Sequence, residues 1–212
     1  SSDICATKDI IKSGKLGNIV EVYLRFDRFR PSIGVKAFKE QELPASGILY
    51  DLGSHLIDQA ISIFGTPESH YIKKGMYREG TLVDDYAFVQ LSFANQVNAF
   101  ITVSLHVLDI QPGIVIHGTK GSFVKDFCDE QENQLIAGMA PNHPDFGLEL
   151  KNKEGKLTYV DKKDTVITEI IASKKGNFNQ LFDEVYDCIR NNKQFSVKNE
   201  EIISQIRILS CK

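Results

Sequence analysis

Two residues of one segment, Asp51 and His55, have the side-chain types and the spacing that proton transfer requires. They lie four residues apart in the stretch Gly47 to Gly65, GILYDLGSHLIDQAISIFG, and on an α-helix this spacing puts both side chains on one face. Imidazole titrates near neutral pH, and a neighbouring carboxylate can orient the ring or favour its charged form. The pair could therefore act as a general acid and base in which His55 exchanges the proton.

The same spacing allows two other interpretations of these residues. Asp51 could be an acidic residue that favours the positive end of a helix, with His55 as a hydrogen-bonded packing residue, and spacing alone favours this interpretation. Alternatively, Asp51, His55 and Asp58 could bind a metal ion from one helix. A metal site is disfavoured because no second group of His or Cys residues follows at a ligand spacing.

The other candidate motifs are weaker. His70, His106, His117 and His143 fall in strand or loop patterns and are interpreted as packing or surface residues. The stretch Gly118 to Ser122 looks like a phosphate-binding loop, but it lacks the spacing of a Walker A motif and is predicted to be a turn between strands. Neither a GxSxG nor a GxGxxG motif occurs in the sequence, so it carries no nucleophile elbow and no dinucleotide fingerprint.

Composition excludes several classes of function. The chain has 212 residues, 42% of them hydrophobic, and a formal net charge of −3, which argues against nucleic-acid binding and a polybasic membrane patch. No apolar run approaches the roughly 18 residues that a membrane span needs. Four widely separated cysteines, Cys5, Cys128, Cys188 and Cys211, form no CxxC pair, so we expect reduced thiols and a cytoplasmic protein.

Hydrophobic periodicity predicts the elements that must hold Asp51 and His55. Residues 19–28 alternate as a half-buried strand, and residues 29–46 are predicted to be an irregular segment that leads into the Asp51 helix. Gly65 and Pro67 end that helix. Further strands are predicted at 71–77, 85–93, 97–107, 114–117 and 122–124, helices near residues 10, 178–189 and 202–209, and mainly loop at 127–156.

These elements predict a single α+β domain over residues 1–212. We expect an open, largely antiparallel sheet with helices on one face. The second sheet face would carry Tyr86, Phe88, Phe100 and Val115. That face could either be solvated or contact another subunit, in a homo-oligomer.

Four segments together carry a resemblance to a known family. They are SGKLGNIVEV, SGILYDLGSHLIDQAISIFGTP, VIHGTKGSF and NFNQLFDEVYDCIRNNKQFSV. In this order, and over nearly the whole chain, they resemble the C-terminal domain of the Gfo/Idh/MocA oxidoreductases. FDRFRP and YDLGSHLIDQA are most similar to the branch that includes scyllo-inositol dehydrogenases.

The resemblance implies NAD(P)-dependent oxidation of a sugar or cyclic polyol. Family members join this α+β domain to an N-terminal Rossmann domain that binds NAD or NADP and supplies a catalytic lysine. Neither the fingerprint nor that lysine motif is in the sequence, so we expect a fragment that lacks the dinucleotide-binding domain and binds no cofactor or metal itself. Asp51 and His55 match the family's catalytic Asp and His, with His55 as general acid or base, and Asp27 and Arg28 match its polar substrate contacts.

A different class of function stays open. Without a dinucleotide-binding half, the chain could be a non-catalytic regulatory or assembly module that uses its sheet face to bind a partner.

Overall fold

The computed structural model describes residues 2–34, 37–127 and 130–211. For residues 37 and 38 it describes the backbone and not the side chains. Cys128 lies outside the described residues, whereas Cys5, Cys188 and Cys211 are free thiols. The described ranges contain five α-helices, α1 (Ser2–Lys12), α2 (Ser54–Phe64), α3 (Glu130–Ile136), α4 (Asn179–Asn191) and α5 (Asn199–Leu209). They also contain eight strands, β1 (Ile19–Asp27), β2 (Ser69–Gly75), β3 (Tyr86–Ser92), β4 (Asn98–Ser104), β5 (Ile114–Gly118), β6 (Gly121–Lys125), β7 (Gly155–Val160) and β8 (Val166–Ile171).

All eight strands form one open sheet in the order β2-β3-β4-β1-β5-β6-β7-β8. Neighbouring strands are antiparallel except for the central pair β1 and β4, which is parallel. A parallel pair needs a long crossover connection, and the segment from β1 to β4, with α2 and the β2–β3 hairpin, supplies it. The predicted open, largely antiparallel sheet is confirmed.

The hydrophobic core lies between one face of this sheet and helices α1, α2 and α5. Val22 and Leu24 of β1 point into it and are fully buried, because alternate residues of a strand point to the same face. Helix α2 packs at its centre through an apolar stripe of Leu56, Ile57, Ala60 and Ile61. The prediction of helices on one face of the sheet is therefore confirmed.

The other face of the sheet carries a row of half-buried aromatic rings. The ring of Tyr23 stacks on that of Phe100 with centroids 5.1 Å apart, and Phe100 stacks on Phe88 at 6.4 Å. The pairing of β1, β4 and β3 brings these three strands together here. The row provides apolar surface on the face opposite the hydrophobic core.

The segment predicted to be mainly loop contains more structure than expected. Residues 127–156 include α3 and the start of β7, and β8 follows as the edge strand. Only Gly155 and Leu157 of β7 are buried, and no residue of β8 is buried, so the apolar alternation that marks a half-buried strand is weak. Their runs of Val, Ile, Thr and Tyr were the available signal.

Helices α4 and α5 occur where periodicity predicts them, but α4 contributes no side chain to the hydrophobic core. No residue of α4 is buried, and its apolar side chains remain open, with Phe182 68% and Ile189 73% exposed. Periodicity correctly predicts this helix because it detects an apolar stripe along one side. The stripe predicts a helix whether or not another part of the chain covers it.

Candidate functional site

A single π-helical turn, Leu49–Gly53, directly precedes α2, which begins at Ser54. The prediction of one continuous helix with regular spacing is thus incomplete, because Asp51 lies in the π-helical turn and His55 in the α-helix. Gly53 permits the turn, since a Cβ there would lie 3.0 Å from Leu49 Cδ1. Single π-helical turns occur frequently at functional sites.

A close contact between Gly47 and Asp84 fixes the start of this turn. Gly47 has φ of +92°, and a Cβ at this position would overlap the carboxylate of Asp84. That carboxylate accepts a hydrogen bond from the Leu49 N–H at 2.8 Å, so it satisfies a donor at the helix start. Burial raises the pKa of Asp84, although the hydrogen bond from Leu49 opposes the rise.

Asp51 and His55 face one open cavity of about 1270 Å³. Arg28 lines the same cavity, so the fold brings together three of the four residues that the sequence proposes for the site. Asp27 is not among the lining residues. The other wall residues with acidic or basic side chains are Arg30, Lys39, Glu40, Arg78, Asp84 and Glu132.

The side chains of Asp51 and His55 have different surroundings in the cavity. His55 is exposed, and its ring makes no hydrogen bond to a residue within the described ranges. Asp51 accepts a hydrogen bond at 3.0 Å from the ammonium of Lys39, with both side chains about half exposed, at 50% and 48%. An ion pair this open is weak, so a bound molecule could compete with Lys39 for the carboxylate.

Asp27 and Arg28 point to opposite faces of the sheet. The Asp27 side chain is buried and accepts a hydrogen bond from Arg25 Nε at 2.8 Å. Arg28 lies on the cavity side, with Phe26 before it and Arg30 after it. Arg30 is a cavity residue that was not predicted from the sequence. The two-residue period of a strand could have predicted it, because Arg30 lies on the same side as Arg28.

A buried network of charges supports the cavity wall from behind. Asp85 is fully buried and accepts hydrogen bonds from the N–H groups of Tyr77 and Arg78, at 3.0 and 2.8 Å, and from Arg78 Nε at 3.2 Å. Arg78 also binds Glu40 at 2.8 Å. Burial would raise the pKa of Asp85, but these donors hold it below its ordinary value. Arg78 and Glu40 both line the cavity, so the network fixes its shape.

His106 and His117 are not among the residues that line the cavity. His106 Nε2 lies 3.3 Å from Asp85 Oδ2, beside the buried network. His117 Nδ1 lies 2.7 Å from the hydroxyl of Ser122, next to the turn that joins β5 and β6. Thr119 and Lys120 form this turn between Gly118, the last residue of β5, and Gly121, the first residue of β6, so the predicted turn between strands is confirmed.

The described ranges contain no group of three or more His, Cys, Asp or Glu side chains arranged to hold a metal ion. Among the described helices, none is both long and apolar enough to cross a membrane.

Comparison with known proteins identifies the family. The profile described as "Oxidoreductase family, C-terminal alpha/beta domain", of the Gfo/Idh/MocA type, matches residues 8–211. The chain belongs to the Gfo/Idh/MocA oxidoreductases. This family assignment agrees with the resemblance seen in the sequence segments around Asp51 and His55.

Similar proteins from bacteria cover nearly the whole chain. The uncharacterized oxidoreductase YhhX of Escherichia coli K12 is 34% identical over 95% of this chain and 56% of its own length. The scyllo-inositol 2-dehydrogenase (NADP(+)) IolW of Bacillus subtilis is 33% identical over 98% of this chain and 57% of its own. The chain therefore spans less than two thirds of the length of these Gfo/Idh/MocA relatives.

Solved structures agree with the fold. The crystal structure of an oxidoreductase from Bacillus cereus superimposes with a TM-score of 0.89 at 32% identity, covering 99% of this chain and 60% of that one. The structure of YhhX gives a TM-score of 0.88 at 34% identity, over 98% of this chain and 58% of that one. The α+β architecture is thus shared with other family members.

Proposed function

We propose that this chain is the substrate-binding and oligomerisation domain of an NAD(P)-dependent oxidoreductase that oxidises a hydroxyl group of a sugar or cyclic polyol. The observation that carries the proposal is that His55, whose imidazole has no hydrogen-bond partner within the described ranges, lines one cavity with Asp51 in a chain that belongs to an oxidoreductase family. The similarity to IolW, whose name states an inositol substrate and NADP(+), supports the substrate class and the cofactor.

The proposed chemistry divides between the two side chains. His55 accepts the proton of the substrate hydroxyl, since neutral imidazole is a base at physiological pH. Asp51, released from Lys39, accepts a hydrogen bond from the substrate and orients it. Arg28, which lines the same cavity, contacts the substrate as well. Asp27 does not contact the substrate in this scheme, because its carboxylate is buried in an ion pair with Arg25.

A bound nicotinamide cofactor would supply the hydride acceptor for this oxidation. The cavity is larger than the roughly 300–1,000 Å³ typical of a pocket for one small ligand, so a substrate leaves room for part of a second molecule. The sequence has no GxGxxG loop, and we propose that a separate dinucleotide-binding domain holds the rest of the cofactor. The free thiols of Cys5, Cys188 and Cys211 fit a reducing cytoplasm.

Removing the imidazole of His55 tests the reaction. In the protein that joins this chain to its dinucleotide-binding domain, His55→Ala should lower kcat for polyol oxidation by roughly 10²–10⁴. The Kd for NAD(P)H should stay unchanged, because His55 acts on the substrate. Formation of NAD(P)H with a panel of neutral and anionic sugars and polyols measures the rate, and cofactor fluorescence measures binding.

A matched control uses His70, an exposed histidine of β2 outside the cavity. His70→Ala should keep full turnover. If His55→Ala also kept full turnover, His55 would have no part in the mechanism.

The alternative function is a non-catalytic regulatory or assembly module. The row of Tyr23, Phe88 and Phe100 favours it, since it gives the sheet an apolar face suited to a protein partner. The same row supports a homo-oligomer of the enzyme, so an oligomer alone does not separate the two functions. Polyol oxidation by the longer protein would reject the non-catalytic alternative.

A further inference from the structure

Two arginines, Arg28 and Arg30, reach the cavity from a rigid extension of β1. The Arg28 N–H donates to the Ser104 carbonyl and the Arg30 N–H to the Leu105 carbonyl, each at 2.8 Å. Phe29 forms a bridge with His106 between them. This pairing continues the strand past its last residue, so both side chains lie on the cavity side as alternate residues of one strand.

An aromatic surface holds the guanidinium of Arg28. Its Cζ lies 4.9 Å from the centroid of the Phe26 ring, and Phe26 packs on Phe127 at 4.6 Å. A guanidinium stacked on a ring keeps its N–H donors free at the edge of its plane. Within the described part of the chain, the Arg28 side chain donates no hydrogen bond and enters no ion pair. Its donors are therefore available to a ligand.

The other cations of the cavity wall already have partners. Lys39 pairs with Asp51, and Arg78 pairs with Glu40 and with Asp85. Asp84 is satisfied by the Leu49 N–H. Among the described residues of the wall, this leaves Arg28 and Arg30, with Glu132 as the acid that has no ion-pair partner.

The electrostatic surroundings of Arg28 favour an added negative charge. Burial and the charge of Arg30 lower the pKa of Arg28, and the charges of Asp51 and Glu132 raise it by less. A guanidinium stays protonated in proteins, so it remains charged although it is half buried next to a like charge. An anion between the two arginines would relieve both costs, and its oxygens would match the paired N–H donors.

We propose that Arg28 and Arg30 bind an oxyanion, a carboxylate or a phosphate, carried by the polyol substrate. The proposal rests on the proposed function and narrows its substrate class to sugar acids and sugar phosphates. A neutral polyol would meet the same wall through hydroxyl groups alone, which are weaker partners for a guanidinium than an oxyanion.

Binding to this chain by isothermal titration calorimetry tests the proposal with two matched pairs of probes. Gluconate is compared with sorbitol, and glucose 6-phosphate with glucose, so that each pair differs in the anionic group. At least one anion should bind about tenfold more tightly than its neutral counterpart, as a charge-assisted hydrogen bond predicts. A preference for gluconate assigns a carboxylate, and one for glucose 6-phosphate assigns a phosphate.

Arginine variants connect that preference to the two side chains. Arg28→Gln should remove the preference, and Arg30→Gln, at an exposed position that does not threaten folding, should reduce it. Arg190→Gln, on α4 and away from the cavity, should preserve it. Raising the ionic strength should weaken binding of the anion and leave that of its neutral counterpart unchanged.

Equal binding of anionic and neutral probes, or no detectable binding of either, would overturn the proposal. A preference that survives in both Arg28→Gln and Arg30→Gln would overturn it as well. This experiment and the His55 experiment fail separately. Equal binding of anionic and neutral probes would reject the anion site and leave the role of His55 untouched, whereas full turnover in His55→Ala would reject the role of His55 and leave the anion site untouched.

Discussion

At the scale of single residues, Asp85 shows how a charge outside the reaction can shape the site. It is fully buried and binds the backbone and the side chain of Arg78, which forms part of the cavity wall. Removal of one partner from a buried pair is costly because the other charge is left uncompensated. The residue therefore holds Arg78 and, through it, Glu40 in place.

Asp85→Asn should lower the free energy of unfolding at neutral pH by about 3–5 kcal/mol, the usual loss for a broken buried pair. Urea denaturation followed by circular dichroism measures it. Asp126→Asn is the control, since Asp126 pairs with Lys153 in the open at 3.3 Å and such a pair contributes at most about 1 kcal/mol.

The same variant predicts a pH dependence. The pKa of Asp85 is lowered in the folded chain, so its contribution is complete above the unfolded value of about 3.9 and is lost as the pH falls through the lower, folded value. The stability difference between wild type and Asp85→Asn should shrink as the pH is lowered below about 4. A difference that grew on acidification would contradict the lowered pKa.

Local patterns in the sequence were sufficient to predict the elements that carry the candidate site residues. Periodicity predicts the helix and the strand that carry Asp51, His55 and Arg28. In the fold, these three residues line one cavity. Arg30 was missed and Asp27 was grouped with Arg28, although strand alternation puts neighbours on opposite faces. The ion pair between Lys39 and Asp51 could not be predicted, since it depends on how an irregular segment folds back.

At the scale of elements, the entry to α2 depends on a contact that no local pattern contains. The π-helical turn at Leu49–Gly53 begins where Gly47 packs against the Asp84 carboxylate, from the segment just before β3. Periodicity could therefore predict a helix here, but not the π-helical turn, because the cap comes from a distant part of the chain. β7 and β8 escaped prediction for a different reason, namely that they bury little apolar surface.

Gly47→Ala tests how far this contact controls the turn. Both the positive φ and the overlap with Asp84 oppose an alanine, so the unfolding free energy should fall by about 1 kcal/mol for the backbone and a further 1–3 kcal/mol or so for the overlap. Gly14→Ala is a matched control, with φ of +72° and no atom within 4 Å of the added Cβ.

The comparison isolates the overlap, because both glycines share the backbone cost. Amide exchange at Leu49 should also become faster in Gly47→Ala alone, since the Asp84 carboxylate that accepts its N–H is displaced. Equal losses of stability in the two variants would show that the contact with Asp84 does not constrain the turn.

At the scale of the whole molecule, two apolar surfaces are available for association. One is the aromatic row on the sheet, and the other is the exposed side of α4, including Phe182 and Ile189. The chain covers less than two thirds of its relatives' length. We expect the sheet row to form the contact between copies of the chain, because a flat stacked surface is suited to a symmetric interface.

Light scattering after size exclusion tests this expectation. The chain should run as a dimer or larger, and Phe100→Lys should shift it to a monomer, since a charge would be buried in the interface. Leu108→Lys, which adds the same charge at an isolated leucine that is 75% exposed, should leave the oligomer unchanged. A monomeric wild type at high concentration would contradict the proposal, and an oligomer broken by Phe182→Lys alone would assign the contact to α4.

The central position of β1 also has a consequence for the order of folding. β1 precedes β2 to β8 in the sequence, yet it lies between β4 and β5 in the sheet. Its residue Glu21 pairs with Asn98, far along the chain. The strands β2 to β4 and β5 to β8 each form a local antiparallel series that can assemble early, whereas contacts distant in sequence form slowly. β1 is therefore expected to join the two halves last. Arg28 and Arg30, which follow β1 and line the cavity, take their places only at that step, so the cavity is completed last.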